Sequence, residues 1–270
     1  MRLIPDQSIA PTTSTDLRRN VRPINDTINE TINGPMNGLG PDRALAVQGR
    51  VRSAAPSWST PFDERPTWRG WLHTAAFVVS VPAVIDLVVL AEGSAATVAV
   101  AIYGAALLLA FGTSAGYHRL ARTERVGRVL QRIDHSMIFV LIAGSYTPLC
   151  VLALPRSRGV PALWIVWVMA AVGVVVKCFG FERFKRLGYS LYPAMGWIAV
   201  VLLPTLVRSL SPIEFGLVAV SGLMYTIGMP VLLLGRPDPW PRTFGYHEVW
   251  HGCTVAAAAC HFAAVAMLVA

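Results

Sequence analysis

The sequence predicts an all-α membrane protein, a bundle of seven transmembrane helices, and three observations lead there. Apolar residues make up 54% of the 270-residue chain and charged ones only 14%, against roughly 25% charged in a soluble domain. The apolar residues gather into seven runs, each close to the ~20 residues that cross a hydrocarbon core. Those runs lack the period-2 alternation of barrel strands, and a backbone in lipid that closes no barrel must satisfy its own hydrogen bonds as helix.

The runs follow in order. The first, about 71–91, opens on Arg69-Gly70-Trp71-Leu72-His73 and carries Asp86 in its outer half, expected to pack against a hydroxyl or water. The second, about 94–117, ends in Ser114-Ala115-Gly116-Tyr117-His118. The third, about 134–154, opens at Arg132-Ile133-Asp134-His135-Ser136 and contains Tyr146-Thr147-Pro148, a polar kink of structural character. The fourth, fifth and sixth cover about 160–177, 189–207 and 213–234. The seventh, about 247–269, begins with His247-Glu248-Val249-Trp250-His251.

Basic residues orient the bundle. Arg119, Arg122, Arg125, Arg128 and Arg132 fill the second-to-third connection, Lys177, Arg183, Lys185 and Arg186 the fourth-to-fifth, and Arg236 and Arg242 the sixth-to-seventh. The segment before the first run is equally arginine-rich, while the alternate connections hold few basic residues. The positive-inside rule then predicts a cytoplasmic N-terminus, an external C-terminus and a multi-pass protein of the plasma membrane. The net charge of +8 is thus a topological signal. No aromatic-basic face or nucleic-acid motif accompanies it, so no nucleic-acid partner is expected.

Two domains are expected: residues 1–66 as a disordered cytoplasmic tail and 67–270 as the membrane bundle. The tail is rich in Pro, Thr, Asn, Ser and Arg, without a helical apolar period. It has no apolar core of a signal peptide, and Met36 is an alternative start. Its Asn25 and Asn29 sequons would not meet the glycosylation machinery from the cytoplasm. Cys150, Cys178, Cys253 and Cys260 form no C-x-x-C pair and read as small packing residues.

Chemistry concentrates at one depth. Given the topology, His118, Asp134, His247 and His251 all fall near the cytoplasmic boundary, from three different helices. His247 and His251 are i and i+4 on one helix face, as are Ser114 and His118. Two imidazoles from one turn and a third from a facing helix suit a tetrahedral zinc with one open position. Asp134 is then placed to orient a water and move its proton. His261, ten residues beyond His251, is too far along the axis to join the same ion. His135 and His73 read as outer partners of the site or as boundary residues.

His247-Glu248-x-x-His251 also spells the zinc-protease motif H-E-x-x-H. The extended protease signature wants Gly and His further on, where this chain has Thr254 and Ala257. Glu248 lies off the histidine face and no later helix can supply a carboxylate ligand, so the match is accidental.

Taken together, Ser114-x-x-x-His118, Asp134-His135-Ser136 with Ile142-Ala143-Gly144-Ser145-Tyr146-Thr147-Pro148, His247-Glu248-x-x-His251 with His261, and Arg69-Gly70-Trp71-Leu72-His73 resemble the bacterial hemolysin III family over about 66–270. That family is similar to the progestin and adipoQ receptors and, more distantly, to alkaline ceramidases. The resemblance implies a zinc ion held by His118, His247 and His251, with Asp134 near the zinc water and Ser114 close by. It further implies hydrolysis of a lipid amide or a part in membrane-lipid homeostasis.

The expected function is therefore a zinc-dependent intramembrane hydrolase of a lipid amide or ester, with Asp134 as base and Ser114 placing the water or the oxyanion. The alternatives are a receptor-like sensor whose zinc is structural and a cytolysin. A pore would want a polar stripe through several helices, whereas the polar residues gather mainly at one end.

Overall fold

The computed structural model describes residues 65–179 and 183–270. The tail expected over 1–66 lies outside the described residues, apart from Arg65 and Pro66. The helices are α1 (Trp71–Leu90), α2 (Ser94–Leu120), α3 (Glu124–Pro148), α4 (Arg156–Phe179), α5 (Lys185–Gly196), α6 (Ile198–Ser209), α7 (Pro212–Leu234) and α8 (Tyr246–Val269). A π-helical turn, Leu149–Ala153, prolongs α3. Helices α5 and α6 share one span, Arg186–Ser209, so the described residues hold seven spans long and apolar enough to cross a membrane.

Local chemistry sets the helix ends. Thr123 caps α3 by accepting from the Val126 N–H. Ser211 and Glu214 form a reciprocal capping box at the start of α7, with Pro212 in the first turn. Gly235, in the left-handed region, ends that helix.

Two runs differ from expectation. Helix α3 starts at Glu124 rather than near Asp134. Its first ten residues carry Arg125, Arg128 and Arg132, so hydropathy hides a charged helical extension that the Thr123 cap and the Glu124–Arg128 pair stabilise. Asp134 consequently lies about 15 Å along the axis from the helix start. The fifth run breaks at Trp197 because a side chain enters its hydrogen-bond ladder. The Tyr146 hydroxyl donates towards the Met195 carbonyl at 3.0 Å and accepts from the Ala199 N–H at 2.8 Å, replacing the bond those two groups would make. The structural reading of the Tyr146 kink acquires a definite partner.

Packing is close inside and apolar outside. A Cβ on Gly144 of α3 would stand 2.5 Å from the Ala106 Cβ of α2, so glycine there lets the two helices approach. One apolar cluster joins Phe139, Val166 and Met195, and another joins Val84, Val100, Phe111 and Val265. The second ties α1, α2 and α8 together. Val79, Trp164, Val201 and Leu233 point outwards, as lipid-facing side chains do. Asp86 also lies exposed on α1 instead of being packed away, four residues from the helix end, where the aqueous boundary is near.

Candidate metal centre

Helix α2 runs to Leu120, which puts His118 in its last turn. Helix α8 starts at Tyr246, which puts His247 and His251 in its first two turns. The two helix ends meet. The His118 and His247 Nε2 atoms are 3.2 Å apart, and the ring centroids of His118 and His251 are 4.9 Å apart.

One nitrogen from each of His118, His247 and His251 falls within 4.8 Å of the others, a group that could hold a metal ion. With Zn–N bonds of about 2.0–2.1 Å, tetrahedral ligand nitrogens stand roughly 3.3 Å from each other. The observed His118–His247 separation of 3.2 Å lies close to that value, and the His251 nitrogen falls within 4.8 Å of both. His251 Nδ1 is buried without a hydrogen-bond partner, and an imidazole nitrogen so placed in an apolar bundle is stabilised by a cation. Three neutral imidazoles form a donor set for zinc and neighbouring divalent transition metals. The residues fit the group.

The surroundings are polar and ordered. Asp134, half-buried on α3, lies beside the Ser114 side chain. Ser114 in turn lies 2.7 Å from His73 Nδ1. His73 Nε2 is 2.9 Å from the Thr254 hydroxyl, and its ring stacks on His251 at 3.8 Å and 15°. Helices α1, α2, α3 and α8 thus all reach this end of the bundle. His135 faces elsewhere: its ring is edge-on to Tyr189 and its carbonyl accepts from the Tyr192 hydroxyl at 2.8 Å. His261, deeper along α8, meets the Ser145 carbonyl at 3.0 Å and belongs to no metal group among the described residues.

Glu248 is fully buried and turned away from the histidines. Arg69 Nε donates to its Oε1 at 2.5 Å and the Gly245 N–H to its Oε2 at 2.8 Å. The carboxylate anchors α8 to the segment before α1, and both of its oxygens are engaged there. Arg65 donates from the same segment to the carbonyls of His118 and Ala121, both at 3.3 Å, closing the C-terminal end of α2. Burial lowers the pKa of its guanidinium, which nevertheless keeps its charge.

Gly70, at φ 80°, turns the chain so closely past α2 that a Cβ would lie 2.7 Å from the His118 Cβ. Sequence reasoning left Arg65, Arg69 and Thr254 out of the site and left His73 undecided. The available signals were the i, i+4 relation of Arg69 to His73 and the position of Thr254, three residues past His251 on the same face.

The haemolysin-III related family model matches residues 63–262, which spans every helix that contributes to this centre. The chain belongs to that family. It is similar to a Hemolysin-3 homolog of Bacillus subtilis, 33% identical over 193 residues that cover 70% of this chain and 87% of the relative. Hemolysin-3 of Bacillus cereus is 31% identical over 182 residues, 66% of this chain and 80% of the relative. The human monocyte to macrophage differentiation factor is 24% identical over 200 residues, 72% of this chain and 80% of that protein. Haemolysin III proteins are multi-pass membrane proteins, in keeping with the seven spans. In this haemolysin-III related chain the histidine centre lies within the matched region, and the matched segment reaches back to include Arg65 and Arg69.

Proposed function

We propose that the chain is a zinc-dependent intramembrane hydrolase of a lipid amide or ester, working at the cytoplasmic leaflet. The observation that carries this reading is the convergence of three imidazoles with a carboxylate and a hydroxyl at one end of an otherwise apolar bundle. Ionisable groups within spans are costly and are kept where they serve a function. Zinc held by His118, His247 and His251 would polarise a carbonyl and make water acidic near neutral pH. Asp134 takes the proton from the attacking water and returns it to the leaving amine or alcohol, so that water and lipid amide give acid and amine. Ser114 positions the water or the oxyanion. The outer faces of α1 and α2 carry exposed apolar side chains such as Val79 and Leu109, which suits access from lipid.

A structural zinc that clamps α2, α3 and α8, with Asp134 as a fourth direct ligand, is the second reading, favoured by the burial of His118 and His251. In that case the protein acts as a sensor in the membrane. Asp134→Asn separates the two, because it keeps shape and a hydrogen-bonding oxygen while removing the charge. Metal analysis and lipid profiling of cells carrying the variant are the measurements. The hydrolase reading expects bound zinc to be retained and turnover to fall by about 100-fold or more. Zinc lost from Asp134→Asn supports the clamp. Zinc retained with an unchanged lipid profile refutes the hydrolase.

A further inference from the structure

His73 supplies no ligand nitrogen, yet it is buried at 7% exposure and engages both of its ring nitrogens. Its Nδ1 meets the Ser114 hydroxyl of α2 and its Nε2 the Thr254 hydroxyl of α8, while its face lies on His251. The Thr254 hydroxyl also donates to the His251 carbonyl at 2.9 Å, so Thr254 links the His73 ring to the backbone of His251.

We propose that His73 is a positioning residue of the metal centre, one that fixes the ring plane of His251 through its stacked face and its hydrogen bonds to Thr254 and Ser114. The proposal rests on the reading that His118, His247 and His251 hold a metal ion. Imidazole ligands need an outer partner to hold their plane, and losing such a partner typically lowers metal affinity 10–100-fold. His73 meets that need by stacking on His251, with Thr254 hydrogen-bonded both to His73 and to the His251 backbone.

The test uses the full chain purified in mild detergent, with Co2+ as the probe. Affinity comes from chelator competition and ligand geometry from the visible absorption bands. His73→Phe keeps an aromatic ring against His251 and removes both hydrogen bonds. It is expected to bind Co2+ about 10–100-fold more weakly with shifted bands. His73→Gln, which restores a polar partner, is expected to fall between it and the wild type. Thr254→Val, nearly isosteric, should weaken binding by a smaller factor and move the bands in the same direction. Wild-type affinity and bands in His73→Phe overturn the proposal, as they do in Thr254→Val should the Phe variant not fold. A wild-type protein that takes up no Co2+ refutes the metal centre itself and this role with it.

Discussion

Arg69→Ala should be among the most damaging single substitutions near the centre, more so than Glu248→Gln across the same ion pair. The reason is an asymmetry of burial: the Glu248 side chain is 0% exposed and that of Arg69 12%. Removing the arginine strands a buried carboxylate that retains the Gly245 N–H bond, and breaking a buried pair in this way costs about 3–5 kcal/mol. Removing the carboxylate instead leaves a guanidinium that can turn to water, so the loss approaches that of one charged hydrogen bond, about 1.5–3 kcal/mol. In Arg69→Ala/Glu248→Gln the buried charge is gone. The double variant should therefore be more stable than Arg69→Ala alone, with a coupling energy on the order of 2 kcal/mol. Reversible unfolding in mixed micelles, followed by helix content, measures all three. Either a cost below about 1 kcal/mol for Arg69→Ala, or a double variant equal to the sum of the singles, would refute this reasoning.

Purified protein should contain about one zinc per chain; His118→Ala, His247→Ala and His251→Ala should each lose it and His261→Ala should keep it. Stoichiometric zinc in all three ligand variants would sink the centre. Reporter fusions should find the N-terminus in the cytoplasm and the C-terminus outside, and an external N-terminus would refute the orientation drawn from the arginine-rich connections.

The fold was legible because hydropathy and span length are properties of the chain alone. What stayed hidden depended on contacts between helices. The ten-residue extension of α3 carries a surface-like charge pattern, and only its cap at Thr123 betrays it. The break between α5 and α6 needs the Tyr146 hydroxyl, about fifty residues earlier, to enter the ladder. Within the centre, His118, His247 and His251 could be grouped from sequence because depth in a membrane is a one-dimensional coordinate. The role of His73 could not, since it follows from ring orientation and from which hydroxyls it meets. Arg69 was counted as a topological charge and as part of the motif that opens the first run, but not as the partner of Glu248, which had been read as lying off the histidine face.

These contacts bear on how the centre comes to exist at all. Its ligands sit on α2 and α8, near opposite ends of the described chain, and neither helix alone can hold an ion in three-imidazole coordination. The segment 65–73 is what joins them: Arg65 closes α2, Gly70 passes against His118, Arg69 secures α8 through Glu248, and His73 bridges Ser114 to Thr254. Backbone bonds from Thr67 and Trp68 to the Arg242 and Thr243 carbonyls extend the same seam into the loop before α8. Closing a loop of this length has an entropic cost that rises only slowly with each added residue, and an ion shared between α2 and α8 would offset that cost by binding only the closed form. Metal binding and closure of the bundle would then be one equilibrium. A clamp would draw Asp134 of α3 in as a fourth ligand, whereas a hydrolase would need that carboxylate to be dispensable for closure, which is the difference Asp134→Asn reads.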